Sequence, residues 1–108
     1  MEITLREVCA AVRVSRRAVQ GYEKAGLVSA TGRNNRGYLL YDEAAQERIV
    51  KVKMYQEFGF SIKEIVELID APQEVLKEAL VGRLEQLRED QVCMESVILR
   101  ICEIIERL

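Results

Sequence analysis

The sequence predicts a mainly α-helical chain, with a winged helix-turn-helix over residues 1–71 and a long C-terminal coiled-coil helix over residues 72–108. Three observations predict it. Capping signals at Thr4 and Ser15 lie close enough to start two short helices joined by a tight turn. A basic, turn-rich stretch lies between two β-prone runs, the pattern of a small hairpin. From Leu80 onward, apolar residues recur every three and four positions, as in a zipper.

Thr4-Leu5-Arg6-Glu7 fits a capping box, in which the Thr4 hydroxyl caps the helix and Glu7 reaches back. Leu5, Val8, Cys9 and Val12 then repeat at helical spacing, so the first helix covers about residues 4–12. Ser15 is the N-cap of the second helix, which buries Val19 and Tyr22 and is stopped by Gly26 in a left-handed conformation. Leu27-Val28 and Tyr38-Leu39-Leu40-Tyr41 are the expected arms of a hairpin, and residues 29–37 its basic tip, a wing. Asp42 caps a third helix that runs to about Phe58 and stops at Gly59. Ser61-Ile62-Lys63-Glu64 is a second capping box, opening a fourth helix with Ile62, Ile65, Val66 and Ile69 on one face.

Pro72, the only proline, suits the first turn of a fifth helix running from about residue 73 to the C-terminus. Leu80, Leu87, Met94, Ile101 and Leu108 take its d positions; Leu84, Gln91, Ile98 and Ile105 take its a positions. Gln91 is the polar interruption of the kind that fixes register. A helix so apolar along one stripe needs a partner helix in water, so these nine residues are the expected dimerisation seam. Val97, Cys102 and Ile104 widen the stripe toward the end, which is expected to pack on a second surface as well.

Apolar residues make up 49% of the 108 and charged residues 31%, a globular composition. No apolar run is long enough to cross a bilayer and no secretory leader is recognisable, so the expected location is the cytoplasm, with no membrane partner. The three cysteines are an odd number, which argues against a disulfide framework. Cys9 falls on the buried stripe of the first helix. Cys93 and Cys102, nine positions apart, face opposite sides of one helix at about 100° per residue, so they cannot chelate one ion within a chain. No metal or other cofactor is expected. With no histidine, no phosphate-binding glycine loop and no nucleophile beside a base, enzymatic chemistry has little support.

The formal net charge of −2 argues against nucleic acid, but its distribution argues the other way. Residues 1–60 hold ten Lys/Arg against seven Asp/Glu, and residues 61–108 hold six against eleven. Between residues 13 and 36, Arg13, Arg16, Arg17, Lys24, Arg33 and Arg36 are opposed only by Glu23. Arg16 and Arg17 occupy the first turn of the second helix, where the helix dipole disfavours positive charge. Something outside the helix is expected to want them there.

These residues resemble the MerR family of bacterial transcription regulators over about residues 3–70. The resemblance rests on the helix-turn-helix ending Tyr22-Glu23, on Gly26-Leu27-Val28, on Gly37-Tyr38-Leu39-Leu40-Tyr41, and on Gly59-Phe60-Ser61-Ile62-Lys63-Glu64-Ile65, in that order and spacing. It implies that the second helix enters the major groove, the wing grips phosphates, and an antiparallel coiled coil joins two chains. It further implies double-stranded promoter DNA as partner, with RNA polymerase engaging the distorted promoter. Three positions depart from the pattern: Gln20 stands where the family has a basic residue, Gly21 where it has an aromatic one, and Leu39 where it has arginine.

The expected DNA-binding set is Ser15, Arg16, Arg17, Gln20, Tyr22, Arg33, Asn35, Arg36 and Tyr38. One of Arg16 and Arg17 is suited to a guanine edge and the other to phosphate. Gln20 reads adenine or bonds phosphate. Arg33 and Arg36 have no turn-forming reason to be in the wing. Tyr38 either packs the hairpin onto the helices or offers its hydroxyl to phosphate, and Tyr22 is a core residue as readily as a contact. Arg48, Lys51 and Lys53 on the third helix form either a solvated face or further contacts. The function expected is a homodimeric, sequence-specific transcription regulator on promoter DNA. The alternative is a protein-interaction module on the same dimeric scaffold, motivated by Gln20, Gly21 and Leu39. Ligand sensing between the coiled coil and a partner's globular part ranks below both.

Overall fold

The computed structural model describes every residue from Met1 to Leu108. Its elements run β1 (Ile3–Thr4), α1 (Leu5–Val12), α2 (Arg16–Lys24), β2 (Gly32–Arg33), β3 (Leu39–Tyr41), α3 (Glu43–Glu57), α4 (Ile62–Leu68) and α5 (Gln73–Arg107). Two compact units result, Met1–Ala71 and Pro72–Leu108.

Local chemistry sets the helix ends. Thr4 and Glu7 form the reciprocal capping box that opens α1, and Ser61 and Glu64 do the same for α4. Ser15 accepts from the Ala18 amide at the start of α2, and Asp42 from the Ala45 amide at the start of α3. Both α2 and α3 end in a Schellman motif. Gly26 (φ 79°) and Gly59 (φ 104°) take the left-handed position. Leu27 then donates back to the Tyr22 carbonyl at 2.9 Å and Phe60 to that of Tyr55 at 3.1 Å. Pro72 is the residue before α5, not a member of its first turn.

Val8, Val19, Tyr41, Ile49, Val52 and Ile65 are fully buried and form the centre of the first unit. Each such side chain stabilises the fold by about 1.5–3 kcal/mol relative to exposure. A three-stranded antiparallel sheet, ordered β1-β3-β2, closes one side; Ile3 faces Tyr41 and Leu40 faces Gly32. Two expectations change here. Leu27 and Val28 are buried as apolar filler but pair with no strand, so the hairpin arms are β2 and β3. Val66 is 46% exposed, leaving Ile65, Leu68 and Ile69 as the buried face at α4. No residue of α5 is buried.

The turn between α1 and α2 carries backbone strain. Arg13 has φ 62°, the only non-glycine residue with positive φ. Its amide and that of Val14 both donate to the Cys9 carbonyl. A side chain in this conformation costs about 1–2 kcal/mol, while glycine loses roughly 0.5–1 kcal/mol through greater unfolded-chain freedom. Arg13→Gly is therefore expected to stabilise the fold by about 0.5–1 kcal/mol, read as a thermal midpoint higher by a few degrees. Arg13→Val, branched at Cβ, should lower that midpoint, and the opposite order would show that the turn is unstrained.

Candidate nucleic-acid interface

The buried side of α2 decides its exposed side. Val19 and Tyr22 point inward, so at 3.6 residues per turn Arg16, Arg17 and Gln20 point outward, and all three are exposed. Neither arginine has a hydrogen bond or ion pair within the chain. Ser15 is exposed, but its hydroxyl is already engaged as the helix cap. Tyr22 leaves the DNA-facing set. It is 2% exposed and its hydroxyl donates to Gln56 Oε1 at 2.6 Å, because its side chain is one of the two, with Val19, that seat α2. Burial, then the charge of Glu57, raises its phenol above the usual range. Gly21 is not required by packing, since an added Cβ would meet nothing within 4 Å.

Glu23, the one acid among residues 13–36, is turned into the fold, where its carboxylate accepts from the Tyr41 hydroxyl. Burial, followed by this hydrogen bond and the carboxylate's charge, pushes the Tyr41 phenol above its ordinary range. The basic segment thus faces solvent without its counter-charge.

The wing holds its own shape. Asn34 Oδ1 accepts from the amides of Arg36 and Tyr38, both at 3.0 Å, and the Asn34 amide donates to the Tyr38 carbonyl. Gly37 takes φ 82°. Arg33 Nη1 donates to the Gly37 carbonyl at 2.8 Å, so part of this guanidinium braces the hairpin. Asn35 and Arg36 are exposed. Tyr38 is 59% exposed, with its ring out of the core.

A groove of about 540 Å³ joins these parts. Thr4, Leu5 and Arg6 line it from the start of α1, Arg16 and Gln20 from α2, and Gly37, Tyr38 and Leu39 from the wing. The first turn of α2 and the wing therefore share one surface. Sequence reasoning missed Arg6. It lies on the exposed side of α1, and only the pairing of β1 with β3 brings it beside the wing.

The cations of α3 serve the fold. Arg48 Nε donates to the Leu27 carbonyl at 2.8 Å, and its two terminal nitrogens fork onto Asp70 at 2.7 Å each. Lys53 Nζ donates to the carbonyl of Val12, the last residue of α1, where a cation complements the helix dipole. Lys51 stands over the Tyr55 ring at 6.0 Å.

On α5 the seam residues Leu84, Leu87, Met94, Ile98, Ile101, Ile105 and Leu108 are exposed, as is Gln91, and Leu80 is half-buried. Leu108 lies one residue past the helix end. The three cysteines are free thiols, Cys9 half-buried and Cys93 and Cys102 exposed. No helix is long and apolar enough to cross a membrane.

Two short helices in a helix-turn-helix, a three-stranded wing and a shared groove between them define a winged helix-turn-helix protein. The profile of the MerR HTH family regulatory proteins matches residues 3–72, and the chain belongs to that family. It is 30% identical over 98 residues to the HTH-type transcriptional activator mta of Bacillus subtilis (strain 168), covering 91% of this chain but 38% of that protein. The crystal structure of the N-terminus of MtaN, the Bacillus subtilis multidrug transporter activator, superposes with a TM-score of 0.75 at 28% identity, over 95% of this chain and 97% of that one. HiNmlR, a MerR family regulator lacking the sensor domain and crystallised on promoter DNA, shares the fold with a TM-score of 0.69 at 16% identity, over 91% of this chain and 79% of that one.

The Arg48 fork has a pH signature. Its hydrogen bonds to Asp70 hold that carboxyl below its ordinary range, against an opposing effect of burial and with lesser help from the Arg48 and Lys51 charges. The folded pKa thus lies below the unfolded one, near 3.9. The stabilisation is whole above that unfolded value and is lost as pH falls through the folded pKa. Asp70→Asn should unfold at lower urea than the wild type near neutral pH, and the gap should close in strong acid. A gap unchanged by acid would show that the carboxylate's charge contributes nothing.

Proposed function

We propose that this chain is a homodimeric, sequence-specific DNA-binding transcription regulator. The observation that carries the reading is the shared surface: unpaired Arg16 at the start of α2 lines one groove with the wing, Arg17 next to it is exposed and unpaired, and Glu23 is bonded to the Tyr41 hydroxyl. In a helix-turn-helix, the first turn of the second helix is the part that reaches base edges in the major groove. One arginine forks onto guanine and the other holds phosphate, while Gln20 contacts adenine or phosphate from one turn further on. Arg36, Asn35 and Tyr38 approach the backbone from the wing. Membership of the MerR family and the promoter-bound structure of HiNmlR support this reading. A role on bacterial promoters places the chain in the cytoplasm and makes RNA polymerase a further partner.

The second copy follows from α5. Its 35 residues span about 52 Å and leave Leu84, Leu87, Ile98, Ile101 and Ile105 exposed along one stripe. A second α5 running antiparallel covers that stripe and sets the separation of the two reading helices.

Fragments selected from the source genome by the purified chain should contain an inverted repeat. Arg16→Ala combined with Arg17→Ala should lower affinity for them about 10- to 100-fold near 0.1 M salt and flatten the salt dependence by about two contacts. Ile98→Asp should convert the dimer to monomer in sedimentation and weaken DNA binding with it. A stable wild-type dimer that binds no DNA at low salt would favour the protein-interaction module instead.

A further inference from the structure

We propose that Arg6, on α1, is a ligand for a DNA backbone phosphate, which it holds together with Arg16 in the groove between α1, α2 and the wing. The proposal rests on the regulator reading above and adds a contact from a third element. Arg6 and Arg16 are the only cations lining the groove, and no carboxylate lines it. The acid next to Arg6, Glu7, is committed to the capping box, where it accepts from the Thr4 amide and hydroxyl at 3.0 Å each. Arg6 is exposed and has no partner within the chain.

Two guanidiniums from separate helices thus share one concave surface with no counter-charge, and each sits in the first turn of its helix, where the dipole also opposes it. An anion in the groove removes both penalties. Around it stand donors from the other sides, the Gln20 amide and the exposed Tyr38 hydroxyl. The wing contributes no cation to this groove. Leu39 is apolar, and Arg33 is bonded to the Gly37 carbonyl. Charge that the wing and Gln20 do not provide is therefore supplied from α1.

Fluorescence anisotropy of a labelled, mixed-sequence 30-base-pair duplex, titrated over a series of KCl concentrations, tests this. Arg6→Ala, which removes one contact from each chain of the dimer, should bind roughly five- to tenfold more weakly near 0.1 M salt, with a log–log salt slope shallower by about 1.8. Its thermal midpoint should be no lower than the wild type, since the side chain has no hydrogen bond or ion pair to lose and the helix dipole disfavours its charge. Lys63→Ala, which removes an exposed cation outside the groove, should leave the slope nearly unchanged. Arg6→Ala with Gln20→Arg, which returns a cation to the same groove, should recover most of the loss. If the wild type binds but Arg6→Ala and Lys63→Ala behave alike, the effect is net charge and the assignment of Arg6 falls alone. If the wild type binds no duplex at any salt, the regulator reading falls and Arg6 with it.

Discussion

The anchoring of α2 through Val19 and Tyr22 is the constraint on which the rest depends. These two side chains fix the rotation of the helix about its axis, and the helical repeat then fixes where Arg16, Arg17 and Gln20 point. The Schellman turn at Gly26 ends the helix, and Arg48 holds the Leu27 carbonyl just beyond it. Tyr22 contributes twice, by its buried ring and by the hydrogen bond to Gln56 that ties α2 to α3. A reading surface placed by packed aliphatic and aromatic groups is held more rigidly than one placed by a loop.

Charge in this molecule is sorted by geometry more than by count. The chain is acidic overall, yet its one acid within the basic segment is drawn inward by Tyr41. Not every cation in the basic half is available to a partner. Arg48 and Lys53 hold backbone carbonyls, and Arg33 braces its own hairpin. Arg6 and Arg16, both without partners in the chain, are the ones that meet at the groove. Net charge alone would have pointed away from nucleic acid; the positions of six or seven side chains reverse that conclusion.

Short-range signals were the legible ones. The caps at Thr4, Ser15, Asp42 and Ser61, and the stops at Gly26 and Gly59, depend on residues within a few positions of one another, and they set the helices where they stand. Long-range pairing was not legible. Ile3 and Thr4 are both β-branched, but a run of two is too short to read as a strand, and it becomes one only because Leu40 and Tyr41 lie beside it. Leu27 and Val28 are β-prone, but their burial satisfies that preference without a partner strand. The same limit hid Arg6, whose place depends on that pairing, and the partners of Arg48, which lie 21 and 22 positions away. Tyr22 carries both a ring and a hydroxyl, and only the presence of Gln56 decides where the hydroxyl goes.

The wing's self-sufficiency has an evolutionary meaning. Its bend is encoded by Asn34, Gly37 and the brace from Arg33, all within five positions. Asn35 and Arg36 ride on that scaffold with no side-chain duty to it. Those two sites are free to drift through mutation while the hairpin keeps its form, so a descendant can acquire a different grip without having to learn to fold again.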